Sequence, residues 1–199
     1  MILLFAVFAG ALAGLARSLM SGRQFTLPSL RHTWIIFAAI LLQALIISVP
    51  QTRSWIPGEY VPIFLGLSQL CLLVFVWLNR TQPGFLILGA GLLLNFIVIT
   101  ANGGMMPISP QIASALVPGT PESAWENGAR FGWSKDIVLD RDGTNLWQLS
   151  DWLLLPKIFS YQYALSPGDL LIAIGAFWFF WANDGTPQSA TENRQPATQ

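Results

Sequence analysis

Five long apolar runs divide the sequence, and they restrict the fold more than any other feature. Each approaches the roughly 17–25 residues that a helix needs to cross a bilayer, and flanking residues can extend each run. The runs do not alternate apolar with polar residues, as the strands of a membrane barrel would. The sequence therefore predicts five transmembrane helices, at about residues 1–16, 34–49, 61–78, 85–101 and 168–182.

The composition fits a chain that is embedded in lipid. Hydrophobic residues make up 53% of the 199 positions and charged residues only 10%, whereas soluble domains carry about 25% charged residues. The ten basic and ten acidic residues balance and form no basic block, which argues against a nucleic-acid partner. We expect the partners to be membrane lipids or another membrane protein.

Two rare residue types limit the chemistry. The single histidine, His32, excludes a histidine-based metal cluster and a Ser-His-Asp triad. The single cysteine, Cys71, excludes an internal disulfide. We therefore expect neither a metal site nor a cofactor.

Arginines in the connections between the runs predict the orientation. The short loop 50–60 holds only Arg53, whereas the connections on the opposite side and the tail hold Arg17, Arg23, Arg31, Arg80 and Arg194. By the positive-inside rule, the expected location is the cell (inner) membrane, crossed several times, with the N-terminus outside and the C-terminus cytoplasmic. An aromatic belt is then expected at the inner interface, formed by Trp34, Trp77, Trp178 and Trp181.

The first run also has a feature of a signal peptide, since “ALA” at 11–13 offers a small-residue cleavage site. No positive charge precedes the run, however, which favours a retained helix. Gly10 and Gly14 have the spacing that lets two membrane helices approach closely.

Isolated amides lie within the second, third and fourth runs: Gln43, Gln69 and Asn95. They are nine or ten residues from the predicted cytoplasmic ends of their helices, which corresponds to a common depth near 15 Å. Such a layer either holds the helices together by hydrogen bonds or provides a polar site for a solute. None of the three is ionisable, which argues against proton-coupled transport.

The segment 102–167 separates the last two helices and is expected to lie outside the cell. “SPQIASALV” predicts a short helix with Ser109 as its N-cap. “DRDG” at 140–143, between “IVL” and “TNLWQL”, predicts a short β-hairpin. “LWQLSDWLLLPKIF”, which contains Trp147, Asp151 and Trp152, predicts an interfacial helix at the outer leaflet.

The last apolar run begins with “SPGD”, the pattern of a helix N-terminus. Ser166 is the expected N-cap, and Asp169 is placed to complete a capping box. A carboxylate at this position also complements the positive end of the helix dipole. Asp169 is thus a structural residue that can also serve a functional site at the membrane surface.

Three segments carry a resemblance to known proteins. In order, “NGGMMP”, “LSDWLLLP” and “SPGDLLIAIG” resemble a family of small bacterial membrane proteins of unknown function, over most of residues 1–182. That resemblance implies no activity.

A more distant likeness is to lipoprotein signal peptidase, a membrane aspartyl peptidase. “LSDWLLLP” is similar to its V-D-F segment, and “YALSPGDLLIAIG” is similar to its F-N-x-A-D-x-x-I-x-x-G segment, which would make Asp169 a catalytic aspartate. The family's second aspartate, in G-N-x-x-D-R, corresponds to Val98 or Asn102 here, and neither is acidic. Because an aspartyl dyad needs two carboxylates that share a proton, the hypothesis requires a substitute partner, for which Asp151 is the candidate.

The whole sequence predicts an all-α membrane protein, with one domain of five transmembrane helices at 1–184 and a disordered cytoplasmic tail at 185–199. The expected function is to bind lipid or a membrane-protein partner through the outer segment. The incomplete dyad favours a non-enzymatic role, and the alternatives are a membrane aspartyl hydrolase using Asp151 and Asp169 or a small solute transporter. The candidate binding residues are Asn102, Trp147, Trp152, Asp151, Asp169, Gln43, Gln69 and Asn95.

Overall fold

The computed structural model describes residues 2–25, 29–44, 57–132, 134–157, 162–182 and 184–187. Most of them are helical, as predicted. The helices are α1 (Ile2–Ser21), α2 (Trp34–Gln43), α3 (Val61–Leu78), α4 (Phe85–Ala101), α5 (Pro110–Leu116) and α6 (Pro167–Ala182). The strands are short: β1 (Arg23–Phe25), β2 (Met106–Ile108), β3 (Asp136–Val138), β4 (Leu153–Leu154), β5 (Ala164–Leu165) and β6 (Asp184–Pro187).

The five long helices fall on the five apolar runs. Helix α1 continues beyond the predicted end at residue 16, to Ser21. There, Arg17 Nη1 donates to Trp181 O at 3.3 Å. Helix α2 is described to Gln43, and residues 45–49 of its predicted range lie outside the described residues.

Within the described residues, one helix, Gly58–Leu78, is long and apolar enough to cross a membrane by its length and composition. It comprises α3 and the 3₁₀ turn that precedes it. The other apolar helices have 10–17 residues each: Phe5–Ser21, Trp34–Gln43, Phe85–Ala101 and Pro167–Ala182. Five apolar helices are therefore observed, and one of them reaches the length expected of a membrane crossing.

The long helices pack side by side in the order α1, α6, α4, α3, α2. Helices α1 and α6 are parallel, since Gly10 lies against Phe177 and Arg17 contacts Trp181. The other neighbouring pairs are antiparallel. The described residues between 102 and 166 consequently lie at one end of the bundle, which we call the upper end, and the opposite end is the lower end.

Glycines bring α4 and α6 together. A Cβ at Gly91 would overlap the backbone of Gly168, and a Cβ at Gly175 would overlap the backbone of α4. Two helices can approach this closely only where no side chain separates their backbones. Next to this contact, the rings of Phe85 and Phe179 pack edge to face with centroids 5.2 Å apart, and both are buried in the lower core.

The described parts of the segment 102–166 form a small layer over the upper end. Strands β2 and β3 pair in parallel, and β4 and β5 pair antiparallel. Its own apolar centre consists of Ile108, Ala113 and Val138, all of them buried. Helix α5 confirms the short helix predicted here, and Ser109 Oγ accepts its N-cap hydrogen bond from Ile112 N at 3.3 Å.

The predicted hairpin across “DRDG” is wrong. Residues 141–143 form a 3₁₀ turn, and the strand before it, β3, pairs with β2 on one side while Ile137 bridges Arg130 on the other. Both edges of β3 are therefore paired, and neither is free for “TNLWQL”. The backbone of Asn145 instead bonds to the side chain of Asn102, and Leu146 has a positive φ of 54°, which interrupts an extended strand.

The predicted interfacial helix at 146–159 is also wrong. Residues 147–149 form one 3₁₀ turn, and the chain then extends into β4. The backbone of Leu153–Leu154 is used in pairing with Ala164–Leu165, so it cannot make the intrahelical hydrogen bonds of a continuing helix.

The first residues of the predicted disordered tail are ordered. Strand β6 covers residues 184–187 and pairs antiparallel with β1, whereas residues 188–199 lie outside the described residues. The pairing follows from the parallel packing of α1 and α6, because both helices end at the lower end and their continuations meet there.

Candidate functional site

The N-terminus of α6 is held by a ring of hydrogen bonds. Ser166 Oγ accepts from Asp169 N at 3.0 Å, and Asp169 Oδ2 accepts from Ser166 N at 3.2 Å, which confirms the predicted capping box. Asn95 of α4 completes the ring: its Nδ2 donates to Asp169 Oδ1 at 2.8 Å, and its Oδ1 accepts from Ser166 Oγ at 2.8 Å. Asp169 is therefore both a cap and a link between two helices.

The C-terminus of α4 is tied to the outer segment through Asn102. Its Nδ2 donates to Val98 O at 2.8 Å and to Asn145 O at 2.9 Å, and its Oδ1 accepts from Asn145 N at 2.9 Å. Asn145 Nδ2 in turn donates a hydrogen bond to Ala101 O at 2.9 Å. These bonds place the following segment, with Trp147, Asp151 and Trp152, over the upper end of the bundle.

Asp151 is buried, with 4% of its surface exposed, and its partner is Lys135. Lys135 Nζ donates to Asp151 Oδ2 at 3.0 Å and lies 3.6 Å from Asp136 Oδ1. The backbone N of Asp151 donates to Pro107 O at 3.2 Å, so β2 fixes its position. Among the described residues, Asp151 Oδ1 has no hydrogen-bond partner.

Burial dominates the electrostatics of this cluster. It raises the pKa of Asp151 to about 7; Lys135 opposes the shift, and the neighbouring Asp136 and Asp169 add to it. Burial alone would lower the pKa of Lys135, but the three carboxylates outweigh it and raise that pKa. Asp151 and Asp169 thus lie within electrostatic range of each other and of Lys135.

Beside this cluster, the outer segment has a half-open groove of about 780 Å³. Its lining includes the charged residues Asp140, Arg141 and Asp142 and the aromatic residues Trp147 and Trp152. The two indole rings pack edge to face with centroids 6.4 Å apart, and the Arg141 guanidinium lies 3.4 Å from the centre of the Trp147 ring. The predicted Trp147 and Trp152 thus share one concave surface.

The three predicted membrane amides do not form one network. Gln43 Nε2 donates to Ser68 Oγ at 3.0 Å, while Asn95 is used at the N-terminus of α6. Gln69 is buried, and its Oε1 has no hydrogen-bond partner among the described residues. The structure therefore separates Gln43 and Gln69 from the cluster that contains Asn95.

Sequence reasoning missed Lys135 and Asp136. A signal was present, since Lys135 is one of only two lysines in the chain and stands directly beside an acid. Sequence reasoning also missed Arg141 as a partner of Trp147, because “DRDG” was interpreted only as a turn.

Comparisons with known proteins confirm the resemblance to a family of unknown function. The model of a family of unknown function, DUF5317, matches residues 28–181. The chain belongs to the DUF5317 family. A protein of Thermotoga maritima described as “Uncharacterized protein” is 27% identical over 139 residues, which cover 67% of this chain and 70% of the relative. No solved structure matches the chain significantly.

The buried Asp151 predicts how stability depends on pH. Its pKa is higher in the folded chain than in an unfolded one, so the folded state binds the proton more tightly and loses stability as pH rises. We expect the melting temperature in detergent to fall by several degrees between about pH 4 and about pH 7. Asp151→Asn should reduce this slope, whereas Asp142→Asn, an exposed acid of the same segment, should not. Equal slopes in the two variants would contradict the assignment.

Proposed function

We propose that this member of the DUF5317 family is a multi-pass protein of the cell (inner) membrane that binds a phospholipid in the outer groove. The membrane placement is supported by large apolar side chains that the bundle leaves exposed. Phe8 is 65% exposed, Phe37 71% and Leu86 69%, each on a different helix. Apolar surface of this extent on several helices is costly in water and suits hydrocarbon.

The two ends of the bundle support an orientation. Exposed tryptophans lie at the lower end, where an interfacial belt was expected: Trp34, Trp77, Trp178 and Trp181. Arg17, Arg31 and Arg80 lie at the same end, which the positive-inside rule assigns to the cytoplasm. The upper end, with the groove, would then face outward, and α1 would begin outside.

An impermeant maleimide tests this orientation. Cys71→Ala combined with Gln148→Cys places one thiol beside the groove, where Gln148 is exposed. In intact cells this thiol should react, whereas a matched thiol in place of Thr81, exposed at the lower end, should react only after the cells are opened. The reverse pattern would refute the proposed orientation.

The groove is the observation on which the binding function rests. Its charged residues, two acids and Arg141, are chemically suited to a headgroup that carries both charges. Its two indole rings suit the glycerol and the upper part of an acyl chain, because indole rings favour the boundary between water and hydrocarbon. A groove of about 780 Å³ has the size usual for small-molecule sites.

Removing one of the two indole rings should weaken lipid binding. Trp152 is 42% exposed and lines the groove, so Trp152→Ala should lower the phosphatidylethanolamine retained per protein, measured by mass spectrometry after purification, about tenfold. Trp178→Ala is the matched control, because Trp178 is 52% exposed but lies at the lower end. Equal retention in the two variants, with unchanged melting temperatures, would show that the groove does not hold the lipid.

A second candidate function is hydrolysis within the membrane, and the surroundings of Asp151 favour it. Asp151 has a pKa of about 7, a carboxylate oxygen without a described partner, and Asp169 as an electrostatic neighbour. General acid–base chemistry on a peptide bond needs two carboxylates, one of them protonated near neutral pH, that both reach the scissile bond directly or through one water.

If the chain is a hydrolase, Asp151→Asn should lower cleavage of a fluorescent membrane-anchored peptide by about a hundredfold or more, since an essential acid or base typically contributes that much. Glu126→Gln, which changes an exposed acid of the same segment outside the groove, should leave the rate unchanged. No cleavage by the wild-type chain, or cleavage that persists in Asp151→Asn, would exclude the hydrolase and leave the binding proposal intact.

A further inference from the structure

An apolar groove runs along the exposed side of α3 and α4 towards the lower end. It encloses about 540 Å³, and its walls include Val74, Trp77, Leu86, Ala90 and Leu93. Val74, Trp77 and Leu86 are 51%, 63% and 69% exposed, so the groove opens away from the bundle. Its α4 wall, from Phe85 to Leu93, extends about 12 Å along the helix axis, which suits part of an acyl chain.

Arg80 joins this groove to a polar cavity. The cavity, of about 320 Å³, lies at the lower end and is lined by Ser29, Arg31, Asn79, Arg80, Thr81 and Gln82. Arg80 lines both spaces. Its Nη1 donates to Trp77 O at 3.0 Å and its guanidinium lies 4.6 Å from the centre of the Trp77 ring, which places the charge at the junction.

Asn79 positions the second arginine. Its Oδ1 accepts from Arg31 N at 2.8 Å and its Nδ2 donates to Arg31 O at 3.0 Å, so the backbone before α2 is fixed to the end of α3. Asn79 is itself buried, with 2% of its surface exposed. No described carboxylate pairs with Arg31 or Arg80, so the cavity keeps two positive charges.

We propose that the apolar groove and the polar cavity form one binding site for an anionic phospholipid of the cytoplasmic leaflet. The acyl chain lies between α3 and α4, and the phosphate lies between Arg31 and Arg80. Ser29 and Thr81 supply hydroxyl donors to the headgroup. The uncompensated charge selects an anionic lipid over a zwitterionic one, because basic side chains at a membrane surface attract anionic headgroups. This site rests on the membrane placement proposed above, but not on lipid binding in the outer groove.

Photolabelling in vesicles tests the site. The probes are phosphatidylglycerol and phosphatidylcholine, each with a diazirine on the acyl chain, in vesicles of unlabelled phosphatidylcholine. Mass spectrometry should find the phosphatidylglycerol probe on residues 73–93 about tenfold more often than the phosphatidylcholine probe. The double variant Arg31→Gln, Arg80→Gln should remove that preference, and Arg141→Gln, at the upper end, should not change it.

A second variant tests the groove without altering charge. Ala90 is exposed on α4, so Ala90→Phe fills the groove without entering the bundle and should lower labelling of residues 73–93 by both probes.

Equal labelling by the two probes in the wild-type chain, or labelling unchanged in the double variant, would overturn the proposal. A failure of membrane placement is distinguishable, because the protein would then remain outside the vesicles with no helix labelled. Trp152→Ala, which affects only the outer groove, should leave this labelling unchanged.

Discussion

The close approach of α4 and α6 is the constraint on which the upper end depends. A Cβ at Gly168 would overlap the side-chain amide of Asn95, so Asn95 reaches Asp169 only because this position lacks a side chain. The hydrogen-bonded ring around Ser166 then fixes the start of α6 against α4. The outer segment begins where α4 ends and finishes where α6 begins. The glycine contacts between α4 and α6 therefore fix the distance between its two ends.

Local patterns predicted the helices well and the outer segment less well. Apolar runs define helices whatever their neighbours are, and the N-caps at Ser109 and Ser166 involve residues only three positions apart. The hairpin across “DRDG” failed because strand pairing depends on which edges are free. Strand β3 was already paired with β2, a partner from the other side of α5, and no local signal reports that.

The candidate site was likewise predicted only in part. The sequence identified Asp151, Asp169, Trp147 and Trp152 as residue types out of place in an apolar chain. It could not pair Asn95 with Asp169, which are 74 positions apart, nor Lys135 with Asp151. Counting residues from the helix ends placed the amides at comparable depths, but depth does not specify which face of a helix a side chain occupies.

The pairing of β1 with β6 has a consequence for the integrity of the bundle. It joins the segment after α1 to the segment after α6 by backbone hydrogen bonds. Helices α1 and α6 are therefore held together by strand pairing as well as by side-chain packing. Without residues 2–25, the face of α6 around Phe177 would be exposed and β6 would lack its partner strand. An unpaired strand edge beside an exposed apolar helix favours self-association, so the β1–β6 pairing protects the lower end in addition to the packing of the helices.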